Sequence, residues 1–175
     1  MKLLGISGSL RRASTNTMLV REAARAFGDC DLTLADIDLP LYNEDVEVAG
    51  MPGKVTTLID QVAATDAIVI STPEYNKAPP GSLKNAFDWL SRVKPMPTVG
   101  KPCTVVAAAA GGAGGQRAVS LMYLMLGAFD TKLVVNPEVF IPASYEKFDE
   151  AGRLKDQKSF EFLERKMQAL RALVD

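Results

Sequence analysis

Short apolar segments alternate along the chain with longer segments in which apolar residues recur every three or four positions. The first pattern is typical of buried strands and the second of amphipathic helices. Together they predict strands over residues 3–7, 32–35, 67–71, 103–108 and 132–135. They predict helices over residues 17–27, 53–64, 82–92, 116–129 and 157–174. Each predicted strand is therefore followed by a helix.

The predicted strands are mostly continuous apolar runs rather than regular alternations of apolar and polar residues, which indicates a parallel sheet covered on both faces. Parallel strands joined through helices require right-handed crossovers. Five such units favour an α/β flavodoxin-like three-layer sandwich, with helices on both faces of a five-stranded parallel sheet of order 2-1-3-4-5. For a chain of 175 residues, we expect a single domain over residues 1–175, with a ligand crevice at the carboxyl ends of strands 1 and 3.

Composition limits the classes of partner. The net charge of -1 provides no positive field for nucleic acid or an anionic membrane. No uninterrupted apolar run approaches the ~20 residues of a membrane span, and no targeting signal is recognised near Met1. Two cysteines, Cys30 and Cys103, are too few for a disulfide framework. We therefore expect a cytoplasmic protein that binds neither nucleic acid nor membranes.

The chain contains no histidine. This excludes Ser-His-Asp hydrolysis, Cys-His nucleophiles, histidine-ligated metals and histidine general acid–base catalysis. The two cysteines do not have metal-ligand spacing, and we expect no metal site. An enzyme with this composition is expected to take its reactive group from a cofactor.

The loop between strand 1 and helix 1, residues 5–17, combines hydroxyl groups, an amide, a guanidinium group and a helix N-terminus. Unpaired backbone N–H groups and the helix dipole at such a position favour an anion. The candidate phosphate-binding side chains among them are Ser9, Arg11, Ser14, Thr15, Asn16 and Thr17. The loop predicts a phosphate site; the alternative is that Ser14 or Thr15 only caps the helix. Neither a P-loop nor a Gly-x-Gly-x-x-Gly motif is present.

Two further loops follow strands. Residues 72–82 place Tyr75 between polar residues in a segment stiffened by three prolines, which suits the edge of a planar ring. Residues 107–115 hold four glycines, which allow backbone N–H groups to approach a ligand. A proline-rich turn and tight helix–strand packing are the respective structural alternatives.

Together the three loops resemble the NADPH-dependent FMN reductase family, which includes chromate/quinone reductases and azoreductase-type enzymes. The resemblance covers essentially the whole chain. Its most specific part is the Pro-Glu-Tyr-Asn segment with the helix that follows. The matching positions are residues 8–11 (Gly-Ser-Leu-Arg), Ser14, Asn16, residues 73–76 (Pro-Glu-Tyr-Asn), residues 80–92, residues 100–102 and residues 114–118.

The resemblance implies a noncovalently bound FMN, with NAD(P)H as co-substrate and the flavin carrying the chemistry. It implies that the first loop holds the phosphate through Ser9, Arg11, Ser14, Asn16 and Thr17. It implies that the second loop lines the ring and ribityl chain through Pro73, Glu74, Tyr75 and Asn76. It implies that Ala110, Gly111, Gly112 and Gly115 border the pyrimidine side. Relatives commonly carry Ser, Met or Pro before these glycines, so the alanines 107–110 imply contacts through backbone alone.

The activity implied is an oxidoreductase that passes hydride from NAD(P)H through the flavin, in a ping-pong cycle, to quinones, azo compounds, ferric chelates or chromate. A flavodoxin-type electron carrier and a flavin-free phosphate-binding module on the same fold are the alternatives. Family members are usually dimers or tetramers, and the strongly apolar segment Met122 to Leu126 also indicates a homodimer or homotetramer. Arg117 and Glu74 are a candidate pair across the subunit boundary.

Overall fold

The computed structural model describes residues 1–174, and within them the chain forms one parallel sheet flanked by helices. The strands are β1 (Lys2–Ser7), β2 (Asp31–Leu34), β3 (Ala67–Thr72), β4 (Pro102–Ala108), β5 (Lys132–Val134) and β6 (Phe140–Ile141). The helices are α1 (Thr15–Phe27), α2 (Glu44–Ala49), α3 (Gly53–Ala64), α4 (Gly81–Leu90), α5 (Gln116–Leu126) and α6 (Gln157–Arg171). The strand order β2-β1-β3-β4-β5 confirms the predicted topology.

Successive residues of each central strand point into opposite apolar layers. Leu3 packs with α1 and α6 on one face, and its neighbour Leu4 packs with α3, α4 and α5 on the other. β3 and β4 are buried along their whole length because both faces are covered. This double burial is the physical reason why their sequences are apolar at almost every position.

The edge of the sheet differs from the prediction, because two short strands share one side of β4. β5 pairs with residues 102–104, and β6 pairs with Ala107 and Ala108 farther along the same strand. Between them the chain leaves the sheet over residues 135–139. The prediction of one continuous strand over 132–135 was therefore incomplete. The return through β6 brings the following residues to the carboxyl edge of the sheet.

The helix boundaries differ by a few residues from those predicted. α1 begins at Thr15, not at residue 17, because the Ser14 side chain accepts hydrogen bonds from the backbone N–H groups that open the helix. α5 gives way to a 3-10 turn at Gly127–Phe129, and α6 ends at Arg171. The short helix α2 was not predicted; none of its residues is buried, so it leaves no amphipathic pattern. No helix among residues 1–174 has both the length and the apolar character needed to cross a bilayer.

A buried lysine fixes the segment between β5 and β6. Lys166 on α6 is fully buried, and its Nζ donates to the backbone oxygens of Val135 at 2.5 Å and Pro137 at 3.0 Å. Burial lowers the pKa of Lys166 to about 8, against the opposing effect of the Glu138 carboxylate. The amine thus supplies hydrogen-bond donors that the looped-out backbone would otherwise lack.

The lowered pKa of Lys166 makes stability depend on pH. Between the folded-state pKa and the unfolded value of about 10.4 the unfolded chain binds the extra proton, so stability rises with pH. Relative to Lys166→Met, the wild type should gain about 1 kcal/mol in the free energy of unfolding between about pH 7 and about pH 9. Urea unfolding at the two pH values measures the difference. Lys158→Met, at the exposed start of α6, should keep the wild-type slope. Parallel pH profiles for the wild type and Lys166→Met would contradict the prediction.

Candidate functional site

A cavity of about 240 Å³ lies at the carboxyl edge of the sheet, where β1, β3 and β4 end. This is the crevice in which open α/β sheets bind ligands. The predicted site residues that line it are Ser9, Arg11, Ser14, Asn16, Pro73, Glu74, Tyr75 and Ala110. Those that do not line it are Thr17, Asn76, Gly111, Gly112 and Gly115. Lining residues outside the predicted set are Thr15, Ala108, Ala109, Ser144 and Tyr145.

The N-terminus of α1 faces this cavity. The Ser14 Oγ accepts from the N–H groups of Asn16 at 3.2 Å and Thr17 at 3.3 Å, so its side chain does cap the helix. Capping does not use all the donors: within residues 1–174 the backbone N–H of Thr15, the first residue of α1, has no acceptor, and neither have those of Arg12 and Ala13 in the loop before the helix. Of these three residues, Thr15 lines the cavity. Free amides at the positive end of a helix form a site for an anion.

Asn16 has a different environment from the one the phosphate prediction implies. Its side chain is buried, and its Oδ1 accepts from the Ser71 hydroxyl at 2.8 Å and the Ala108 N–H at 3.2 Å. Its Nδ2 donates to the Ala108 backbone oxygen at 2.9 Å. These bonds tie the start of α1 to the ends of β3 and β4. The Thr17 hydroxyl likewise donates to the Ser7 Oγ at 3.0 Å and lines a neighbouring cavity beside β2.

The second loop contains a tight hairpin that was not predicted. Tyr75 and Ala78 exchange backbone hydrogen bonds of 2.9 and 3.0 Å across Asn76 and Lys77. Both central residues have positive φ, 51° and 67°, as a type I′ turn requires. The turn leaves the ring of Tyr75 half exposed at the rim of the cavity, while Pro73 is buried below it. Asn76 at the tip of the turn stays outside the lining.

Glu74 connects the second loop to α5. Its Oε1 accepts from the Arg117 guanidinium group at 2.8 Å, and its Oε2 accepts from the Arg117 backbone N–H at 3.2 Å. The helix begins after Gly115, which has no side chain to cap it, so Glu74 provides the cap from another loop. The two residues that were predicted to pair therefore do so within one chain.

The four glycines of the third loop fall into two groups. A Cβ at Gly114 would lie 2.9 Å from the Phe140 Cβ, and one at Gly115 would lie 2.7 Å from the Ala107 Cβ. Both have positive φ, so tight packing and backbone conformation require glycine at these two positions. A Cβ added at Gly111 or Gly112 would meet nothing within 4 Å, so these two residues leave the rim beside Ala110 open.

A fourth segment, absent from the sequence-based prediction, completes the cavity. Ser144 and Tyr145 lie in a 3-10 turn (Ser144–Glu146) that follows β6. β6 is two residues long, too short for its periodicity to be recognised. The Phe-Ile pair of β6 gave the only signal that the chain returns to the sheet. Among the described residues no group of three or more His, Cys, Asp or Glu side chains is arranged to hold a metal ion.

A family model for NADPH-dependent FMN reductases matches residues 1–146. The chain belongs to this family. It is 42% identical to an NAD(P)H-dependent FMN reductase of Pseudomonas aeruginosa, over 99% of this chain and 95% of the relative. It is 34% identical to a quinone reductase of Escherichia coli K12, over 93% of this chain and 89% of the relative. The resemblance identified from the three loops is therefore confirmed.

A solved structure, the flavoenzyme NAD(P)H:(acceptor) oxidoreductase FerB of Paracoccus denitrificans, superimposes with a TM-score of 0.90. The two chains are 31% identical, and the match covers 99% of this chain and 96% of FerB. The likeness therefore extends over the whole fold.

The cap on α5 generates a stability prediction. Glu74→Ala should lower the free energy of unfolding by about 1 kcal/mol, because the first turn of α5 loses its acceptor. Arg117→Ala should cost much less, because the guanidinium group is more than half exposed and such ion pairs contribute little. Urea unfolding of both variants tests this order. Equal losses in the free energy of unfolding would show that the ion pair, and not the cap, holds the second loop against α5.

Proposed function

We propose that this chain binds FMN noncovalently in the cavity and uses it to pass hydride from NAD(P)H to small acceptors such as quinones. The observation that carries the proposal is the position of the cavity. It lies against the N-terminus of α1 with its free Thr15 amide, between the two loops that carry the family motifs. Relatives over nearly the whole length of the chain are named FMN and quinone reductases.

The residues around the cavity fit the parts of FMN. The phosphate requires hydrogen-bond donors and positive charge, which the α1 amides, Ser9 and Arg11 offer at one end. The ring requires a flat, mostly apolar surface, which Pro73, Tyr75 and the loop at Ala110 offer at the other. The cavity volume of about 240 Å³ lies below the range of typical ligand pockets, roughly 300–1,000 Å³. Part of the ring would therefore remain outside the cavity, accessible to a second substrate.

Bound FMN would supply the redox chemistry by accepting a hydride and releasing the electrons to an acceptor in a ping-pong cycle. The protein has to bind, orient and shield it. Asn16 and Glu74 hold the loops at fixed positions through their hydrogen bonds to Ala108 and Arg117. The open backbone of Gly111 and Gly112 provides N–H groups that can stabilise negative charge at the pyrimidine edge.

Small acceptors fit the exposed side of the cavity. The rim near Tyr75 and Ala110 is open, and the net charge of the chain is only -1, which suits small molecules better than docking of a charged protein partner. Quinones are such small molecules, and azo compounds, ferric chelates and chromate remain further candidate acceptors. Both cysteines are free thiols, as fits a protein of the reducing cytoplasm.

Purified protein reconstituted with FMN should show a visible flavin spectrum that bleaches when NADPH or NADH is added without oxygen. Addition of benzoquinone should restore the spectrum, and catalytic oxidation of the nicotinamide should continue without any partner protein. A bound flavin that bleaches but turns over only with an added redox protein would indicate an electron carrier. A protein that does not bind FMN would refute the proposal.

The assembly is proposed to be a homodimer or homotetramer. Leu121 and Leu124, one turn apart on α5, are 43% and 78% exposed, whereas Met122 and Leu126 are buried in the core. Two exposed leucines on one helical face form an apolar strip that a second copy can cover.

Light scattering should therefore give a mass of at least twice 18.8 kDa. Leu124→Glu should shift the population toward the monomer, because a carboxylate would be placed in the apolar contact. Val48→Glu is the matched control, since Val48 is similarly exposed but lies on α2. A monomeric wild type would contradict the proposal.

A further inference from the structure

The 3-10 turn after β6 places two polar side chains against the anion-binding end of the cavity. The Ser144 backbone N–H donates to the Ala109 backbone oxygen at 3.1 Å, which fixes the turn to the end of β4. Ala143 before it has a φ of 45°, in the left-handed region. The bend directs the turn back toward the start of α1, where the free amides lie.

Ser144 and Thr15 form a hydroxyl pair at the cavity wall. The Thr15 Oγ1 lies 3.2 Å from the Ser144 Oγ, and Ser144 is 2% exposed. Two hydroxyl groups carry two protons, and the bond between them uses one. Neither side chain has another hydrogen-bond partner among residues 1–174. One O–H donor is therefore available to an acceptor in the cavity, beside the backbone N–H of Thr15.

Tyr145 contacts the one guanidinium group that lines the cavity. The Arg11 Nη1 lies 3.4 Å from the Tyr145 hydroxyl oxygen, and the guanidinium carbon lies 5.8 Å from the ring centroid. Arg11 forms no ion pair with a described carboxylate. An exposed arginine without an ion-pair partner samples many rotamers, and ordering it on binding reduces affinity. The ring and hydroxyl of Tyr145 reduce that freedom.

We propose that the turn is a second half of the phosphate site, opposite the N-terminus of α1. The Thr15–Ser144 pair donates its free O–H to the phosphoryl oxygens. Tyr145 is a positioning residue that holds Arg11 over them. The inference rests on the proposed binding of FMN and adds a specificity to it: these residues recognise the phosphate, and not the ring or the ribityl chain.

Comparison of FMN with riboflavin tests this specificity, because the two flavins differ only in the phosphate. Dissociation constants are measured by quenching of flavin fluorescence, with riboflavin also measured in competition with FMN. The double variant Thr15→Val/Ser144→Ala should raise the Kd for FMN about tenfold, since it removes both hydroxyl groups of the pair and with them the donor to a charged acceptor. Tyr145→Ala should raise it about fivefold, and Tyr145→Phe less, because the ring contact with Arg11 remains. Riboflavin affinity should stay within about twofold for all three variants, because it lacks the group that they contact.

A double-mutant cycle tests whether Tyr145 acts through Arg11. Arg11→Ala should weaken FMN binding, and Tyr145→Ala added to it should cause no further loss, because the group that it positions is gone. Phe162→Ala is the matched control: Arg165 stacks on this exposed ring at 4.4 Å on α6, outside the cavity. It should leave both flavin affinities unchanged. Thermal unfolding of each variant checks that the fold is retained.

Each outcome decides the inference. Equal losses for FMN and riboflavin would place the turn against the ribityl chain or the ring and overturn it. Full additivity of Arg11→Ala and Tyr145→Ala would overturn the positioning role. If the wild type binds FMN but not riboflavin, two measurements test the inference: the rise in the Kd for FMN in the variants, and the double-mutant cycle of Arg11 and Tyr145. A wild type that binds neither flavin would refute the proposed function itself, whereas unchanged FMN binding in the Thr15/Ser144 double variant and the Tyr145 variants would refute only the role of the turn.

Discussion

The buried side chain of Asn16 is the interaction on which the candidate site depends. Its three hydrogen bonds join the first turn of α1 to Ser71 on β3 and to both backbone groups of Ala108 on β4. Each such bond contributes about 1 kcal/mol, and loss of one side leaves buried polar groups unsatisfied at a larger cost. The bonds keep the positive end of α1 at the point where three strands end. The free amide at the first residue of the helix, Thr15, therefore faces one fixed volume.

The polar residues of the family motifs are divided between two tasks. Ser14, Asn16 and Glu74 make their hydrogen bonds within the protein: they cap α1, bridge β3 to β4 and cap α5. These loops contribute mainly backbone N–H groups to the cavity, together with the side chain of Arg11 and the ring of Tyr75. A rigid arrangement of this kind binds a ligand without reorganisation, which limits the loss of conformational freedom on binding.

The sheet order, the edge of the sheet that carries the cavity and three of the four loops around it were predictable from sequence. Continuous apolar strands and amphipathic helices such as 53–64 carry strong signals, because burial on one or both faces acts at every residue. The role of Asn16 was not predictable, because an asparagine in a polar loop gives the same sequence pattern whether its side chain contacts a ligand or packs in the core. The contribution of Ser144 and Tyr145 was not predictable either, because it depends on a two-residue strand and on contacts with Thr15 and Arg11 that are distant in sequence.

The division of the edge strand into β5 and β6 explains how a fourth segment, the turn after β6, reaches the cavity. A single continuous strand beside β4 would carry the chain straight to α6 and leave the start of α1 uncovered. The segment 135–139, which leaves the sheet, is fixed by Lys166, whose amine donates hydrogen bonds to the backbone oxygens of Val135 and Pro137. β6 then re-enters the sheet beside Ala107 and Ala108, and the crowded contact of Gly114 with Phe140 fixes its position. The segments before α5 and after β6 therefore both reach the cavity. Lys166 on α6 and Gly114 before α5 do not line the cavity, but they position the residues that do.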